Sequence, residues 1–146
     1  MAEQHTDIAN IINGKAVKTD NKQTVIMPHN HQHKLGTYYN ADANLLHKAA
    51  DAAVAAQAAW QALPWQSRTA VFLKAADLLA GPYRNLINAA TMHGQSKNVF
   101  QAEIDSACEL IDFLRFNAYF YEQIMAEQPV SSPGVWNQLD WRPLEG

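Results

Sequence analysis

The sequence has one cysteine, no long apolar run and no strong charge of either sign, and each scarcity excludes a class of protein. A single thiol, Cys108, cannot form an internal disulfide, so a disulfide-stapled secreted scaffold is ruled out. No apolar stretch approaches the about 20 residues needed to span a bilayer, and no membrane partner is expected. Eleven basic and 14 acidic residues give a net charge of -3, with no like-charge run, so no electrostatic footprint for nucleic acid exists. Met1 to Asn10 is polar and acidic rather than a basic head followed by an apolar core, and the expected compartment is cytoplasmic. Also missing are a Gly-rich phosphate loop, a G-x-S-x-G elbow, a C-x-x-C pair and the H-E-x-x-H pair of a zinc-binding helix. Read by motif alone, no enzyme is visible.

What is present is a globular composition, 48% hydrophobic over 146 residues, enough for one ordinary domain. Asn13-Gly14, flanked by Ile11-Ile12 and Lys15-Ala16-Val17, predicts a tight hairpin, because the pair tolerates positive φ. Thr24 to Met27 predicts another short strand, closed by Pro28, which has no backbone donor for a ladder. Residues 28–41 read as a connector.

From Asp42 the apolar period changes to that of a helix. Asp42 is the expected N-cap of a helix over 43–62, with Leu46, Ala49, Ala50, Ala53, Ala56 and Trp60 on one stripe. Leu63-Pro64-Trp65 breaks it. Ser67 is the expected cap of a second helix whose stripe is Val71, Phe72, Ala75, Ala76 and Leu79. Gly81-Pro82 reads as a left-handed stop followed by a start, and a short third helix carries Tyr83, Leu86, Ile87 and Ala90 and ends at Gly94.

A long fourth helix is expected from about Val99 to Gln128, closed by Pro129. It bears two apolar stripes: Ala107, Ile111, Leu114, Ala118, Tyr121 and Met125 on one side, Phe113, Phe116, Phe120 and Ile124 on another. One face suffices for a helix of a small bundle, so the second predicts cover by protein outside these residues or by a partner chain, and the chain reads as incomplete. Val135 to Arg142 alternates as a strand does.

Three clusters bear on chemistry. His29, His31 and His33 alternate, so an extended segment would turn three imidazoles to one side, a possible metal set; a polar loop is the plainer reading, and no metal site is assigned. Asp105, Glu109 and Asp112 share a helix face, either as acid–base carboxylates or as a solvated stripe favoured by the helix dipole with Arg115 as partner; the second is preferred. Cys108 sits in an apolar helical pattern and reads as a buried structural thiol rather than a nucleophile.

From about Val25 to Gly146 the sequence resembles the delta-1-pyrroline-5-carboxylate dehydrogenases, a proline-catabolic branch of the aldehyde dehydrogenases. The resemblance is carried by Met27-Pro28-His29-Asn30-His31, Leu63-Pro64-Trp65, Phe72 through Arg84, Thr91 through Lys97, and Gln101-Ala102-Glu103-Ile104-Asp105 with Glu109 through Asn117. It implies an NAD-dependent oxidation of L-glutamate gamma-semialdehyde to L-glutamate in L-proline degradation, in which a cysteine thiolate attacks the aldehyde and hydride passes to the nicotinamide. The implied fold is mainly α with short β-strands, the N-terminal outer layer of an α/β aldehyde dehydrogenase NAD-binding domain. Its implied divisions are strands and hairpin over 1–27, connector over 28–41, helical layer over 42–128, and loop and strand over 129–146. The family's nucleophile, general base and cofactor-contacting lysine belong to sequence beyond Gly146, so no catalytic, cofactor-binding or metal residue is assigned. Glu109 alone is carried over, as a helix carboxylate reaching toward the substrate pocket. The implied partners are a small-molecule substrate, the rest of the same polypeptide and, for the full-length enzyme, further copies of itself. The alternative is a non-catalytic helical binding or oligomerisation module derived from that enzyme.

Overall fold

A computed structural model describes residues 5–141 and 144. Its strands are β1 (Thr6–Ile8), β2 (Asn10–Ile12), β3 (Lys15–Val17), β4 (Lys22–Met27) and β5 (Asn30–Tyr39). The helices are α1 (Ala43–Ala62), α2 (Trp65–Ala80), α3 (Arg84–Gln95), α4 (Val99–Ala102) and α5 (Glu109–Ala126), with a π-helical segment, Glu103–Cys108, joining the last two. The fold is mainly helical with short strands, as expected.

The expected hairpin forms as β2–β3, and both turn residues take positive φ, 48° at Asn13 and 73° at Gly14. The connector expected over 28–41 does not. Pro28 and His29 make a tight turn, and the chain returns as β5, the centre of a three-stranded sheet ordered β1-β5-β4. β5 runs antiparallel to β4 and parallel to β1. The histidines and asparagines at its start concealed the strand-forming Leu35, Thr37, Tyr38 and Tyr39 that follow. Gly36 lets β1 approach: a Cβ there would stand 2.3 Å from the Thr6 carbonyl oxygen. Lys18 pairs with Asp7, which also accepts from the Tyr39 hydroxyl at 2.9 Å, tying β3 to both strands. Those two donors, Lys18 first, hold the Asp7 carboxyl below its ordinary range.

Asp42 caps α1 as expected, its carboxylate accepting from the Leu45 amide at 2.7 Å. The α1 stripe is less covered than its pattern implies: Leu45 is buried, whereas Leu46 and Trp60 are exposed. Ser67 does not cap α2, which starts two residues earlier at Trp65 with Pro64 before it and no side-chain cap. Trp65 meets the Tyr121 ring edge-on at 6.0 Å, which packs that extra turn onto α5. Gly81 does not take the left-handed conformation; its φ is -107°, and the chain closes through the Tyr83 amide onto the Leu78 carbonyl at 3.0 Å. α3 runs past Gly94 to Gln95, and Ser96 takes the left-handed φ of 55° instead. His29 in the β4–β5 turn meets the Ser96 hydroxyl at 2.8 Å and holds it there.

The core lies where α2 crosses α5: Ala76, Ala107 and Ile111 are buried, with Leu79, Ala80, Ile87 and Leu114 against them. Small residues on both helices let the backbones approach, and burying Ile111 stabilises by about 1.5–3 kcal/mol. The strand expected over 135–142 is irregular across residues 135–141, and Arg142 lies outside the described residues. Side chains occupy the groups a ladder needs: Ser131 Oγ accepts from the Asn137 amide at 2.9 Å, and Gln128 Oε1 from the Leu139 amide at 3.0 Å.

Candidate functional site

The expected fourth helix is interrupted by a wide turn. The Glu109 amide donates to the Ile104 carbonyl, five residues back rather than four. The consequence is legible in the burial pattern: Ala102, Ala107, Ile111 and Ala118 are all buried, and the first two are separated by five residues. Regular α-helix from Ala102 would have turned Ser106 inward in place of Ala107. π-turns of this kind concentrate at functional sites.

Polar side chains from α3 hold this turn. Arg84 pairs with Glu103, its Nε donating at 2.8 Å, and Asn88 donates to the other carboxylate oxygen. Ser106 Oγ reaches Asn88 Oδ1 at 3.0 Å and also the Ala102 carbonyl, so its single proton serves one acceptor at a time. The Arg84 guanidinium, then the Asn88 amide, hold the Glu103 carboxyl below its ordinary range, and Glu103 in turn raises Arg84. Cys108 Sγ lies 3.4 Å from Arg84 Nη2 and is half-buried, which corrects the expectation of a buried thiol in apolar surroundings.

Beyond the turn, Glu109 is exposed and heads the stripe Phe113, Phe116 and Phe120 at spacings of four, three and four. These phenylalanines are 62%, 56% and 53% exposed, so the second apolar face of the helix is open. Phe113 also forms one wall of a groove of about 590 Å³ between α2 and α5, bordered by Trp60, Phe72 and Leu110. Arg68 lies at its base, donating to the Tyr121 hydroxyl at 2.7 Å while its Nε is buried without a partner.

The other sequence candidates separate. Asp105 pairs with Lys97, and the π-turn takes it out of α-helical phase with Glu109 and Asp112. Arg115 donates to Asp77 of α2 at 3.4 Å, not to Asp112. His29 is engaged with Ser96 in the turn, whereas His31 and His33 lie where β5 departs from regular pairing with β4. Among the described residues no three His, Cys, Asp or Glu side chains converge as a metal set. Arg84, Asn88, Glu103 and Ser106 were missed by sequence reasoning; the five-residue step from Ala102 to Ala107 was the available signal.

Among the described residues the amides that open α4 are taken by a capping box between Asn98 and Gln101, and no glycine-rich turn leads into a helix. Nor is any helix among them long and apolar enough to cross a membrane.

Comparison with known proteins gives a consistent result. The profile of the Aldehyde dehydrogenase family matches residues 16–146. The chain is 49% identical over 137 residues to delta-1-pyrroline-5-carboxylate dehydrogenase of Agaricus bisporus, covering 93% of this chain and 25% of that protein. Against the mitochondrial enzyme of that name from Mus musculus it is 48% identical over 136 residues, covering 93% and 24%. The delta-pyrroline-5-carboxylate dehydrogenase of Mycobacterium tuberculosis, solved with NAD bound, superimposes with a TM-score of 0.96 at 51% identity over 99% of this chain and 27% of that one. The chain thus spans about a quarter of the length of the relatives it matches.

Proposed function

The chain belongs to the aldehyde dehydrogenase family, and from that premise we propose that it is part of an NAD-dependent dehydrogenase oxidising L-glutamate gamma-semialdehyde to L-glutamate in L-proline degradation, inactive as these 146 residues alone. The observation that carries the reading is likeness to pyrroline-5-carboxylate dehydrogenases along nearly the whole chain, at an identity close to one half. Residues 42–128 are then the helical layer of the NAD-binding domain. Glu109 lies beside the substrate: an exposed carboxylate at the head of an aromatic face offers acceptors to the ammonium group of an amino-acid semialdehyde. NAD supplies the hydride acceptor when bound, through residues outside this segment. The rest of the polypeptide covers the open phenylalanine face, and the whole enzyme is a homo-oligomer.

The proposed compartment is the cytoplasm; the mouse relative is named as mitochondrial, and fractionation of host cells distinguishes the two. The function is tested by following NADH formation with the semialdehyde. The expected result is turnover by a polypeptide that continues these residues into a complete dehydrogenase, and none by the 146-residue chain. A complete polypeptide that is folded and inert toward the semialdehyde would overturn the proposal. The second reading, a non-catalytic binding or oligomerisation module, draws on the same open face and on the groove beside it.

A further inference from the structure

Glu109 stands where an unbroken α-helix would not put it. An α turn would bond its amide to Asp105; the observed bond to Ile104 adds one residue to the turn and rotates α5 by about 100° relative to α4. That rotation places Ala107 and Ile111 against α2 and sets Glu109 on the open face in line with Phe113. The turn is held from outside its own helix, since Arg84 and Asn88 of α3 grip Glu103 at its first residue, Ser106 meets Asn88 in its middle, and Arg84 reaches Cys108 at its last. Four polar side chains converge on the turn although the buried residues beside it, Ala102, Ala107 and Ile111, are apolar.

We infer that Arg84, Asn88, Glu103 and Ser106 are positioning residues for Glu109: by clamping the π-turn they set the azimuth at which its carboxylate meets the polar end of the substrate. The inference rests on the reading of Glu109 as substrate-adjacent. It explains why the clamp sits one turn before that residue. The hydrogen bonds from Ser106 to Asn88 and Ala102 fix the rotation of the turn, and the direction of the Glu109 carboxylate follows from that rotation.

The test is a double-mutant cycle in the complete dehydrogenase polypeptide carrying these residues, with KM for the semialdehyde, KM for NAD and the thermal midpoint read together. Ser106→Ala removes the proton offered to Asn88 and is expected to raise the semialdehyde KM about three- to tenfold, with the NAD KM and kcat unchanged. Ser106→Thr, which keeps the hydroxyl, restores it. In a Glu109→Gln background, Ser106→Ala is expected to add nothing. Arg84→Lys keeps the charge but loses the fork on Glu103 and Cys108; it gives the same pattern and replaces Ser106→Ala if that variant fails to fold. An equal effect in both backgrounds, or no effect in either, overturns the positioning role and leaves Glu109 in place. A semialdehyde KM untouched by Glu109→Gln itself overturns the reading of Glu109, and the inference falls with it.

Discussion

One face of α5 is closed by α2, and the opposite face stands open. The closed face is built on Ile111, Leu114 and Ala118, continues into Ala107 of the π-helical segment, and meets Ala76 on α2; the open face carries Phe113, Phe116 and Phe120. Both are equally apolar in sequence. What separates them is side-chain size: alanines permit two helix axes to approach closely, whereas a row of phenylalanines needs a deeper partner, such as a sheet or a second layer. Periodicity reveals that a face is apolar, and residue volume indicates what kind of element covers it.

The sharpest break of that contrast is a pair of substitutions in the 146-residue chain, compared by urea unfolding. Ile111→Ala on the closed face is expected to cost about 2–4 kcal/mol, transfer and cavity terms together. Phe116→Ser on the open face is expected to change stability by less than about 0.5 kcal/mol, because more than half of its surface is exposed and its ring stacks on another exposed ring, Phe120. Equal costs at the two positions would mean that the faces do not differ as described.

A second closed contact, between β1 and β5, extends the comparison to the sheet. Gly36→Ala brings a Cβ into the Thr6 carbonyl and is expected to cost about 1–3 kcal/mol, with loss of amide-exchange protection in residues 6–8 ahead of α2 and α5. Simultaneous loss in both would show sheet and helices to be one cooperative unit.

A smaller effect distinguishes the polar clamp from both apolar faces. Glu103 has a folded-state pKa below its unfolded value, so the unfolded chain binds the extra proton in acid. Its contribution to stability is present above the ordinary glutamate range and is lost as pH falls through the lowered folded value. Wild-type chain should therefore lose more stability than Glu103→Gln as pH falls from the ordinary glutamate range to the lowered folded value. Parallel acid melts of the two check it; coincident curves would remove the Arg84–Glu103 pair from the stability account.

Sequence reading reached some of these features and not others, for identifiable reasons. α1 was legible to its ends because Asp42 caps it through a local bond, and the β2–β3 turn because Asn13-Gly14 is a local signal. β5 was hidden because its pairing with β1 depends on a segment about 30 residues away in sequence, and its leading residues look like loop. The irregular 135–141 segment shows the converse: an alternating pattern whose amides are taken by Ser131 and Gln128. At the candidate site, Glu109 entered by resemblance, and the two stripes of α5 by period. The clamp escaped because it joins α3 to a π-turn, and a single inserted residue leaves both flanking patterns intact.

The open face is the centre of the account, and sedimentation of the 146-residue chain across micromolar concentrations tests it most directly, alongside the Phe113→Ser, Phe116→Ser, Phe120→Ser triple variant. Concentration-dependent self-association by the native sequence and its loss in the variant are expected of an aromatic face that needs cover. A chain that stays monomeric, unfolds cooperatively and behaves identically with and without the three phenylalanines would contradict it.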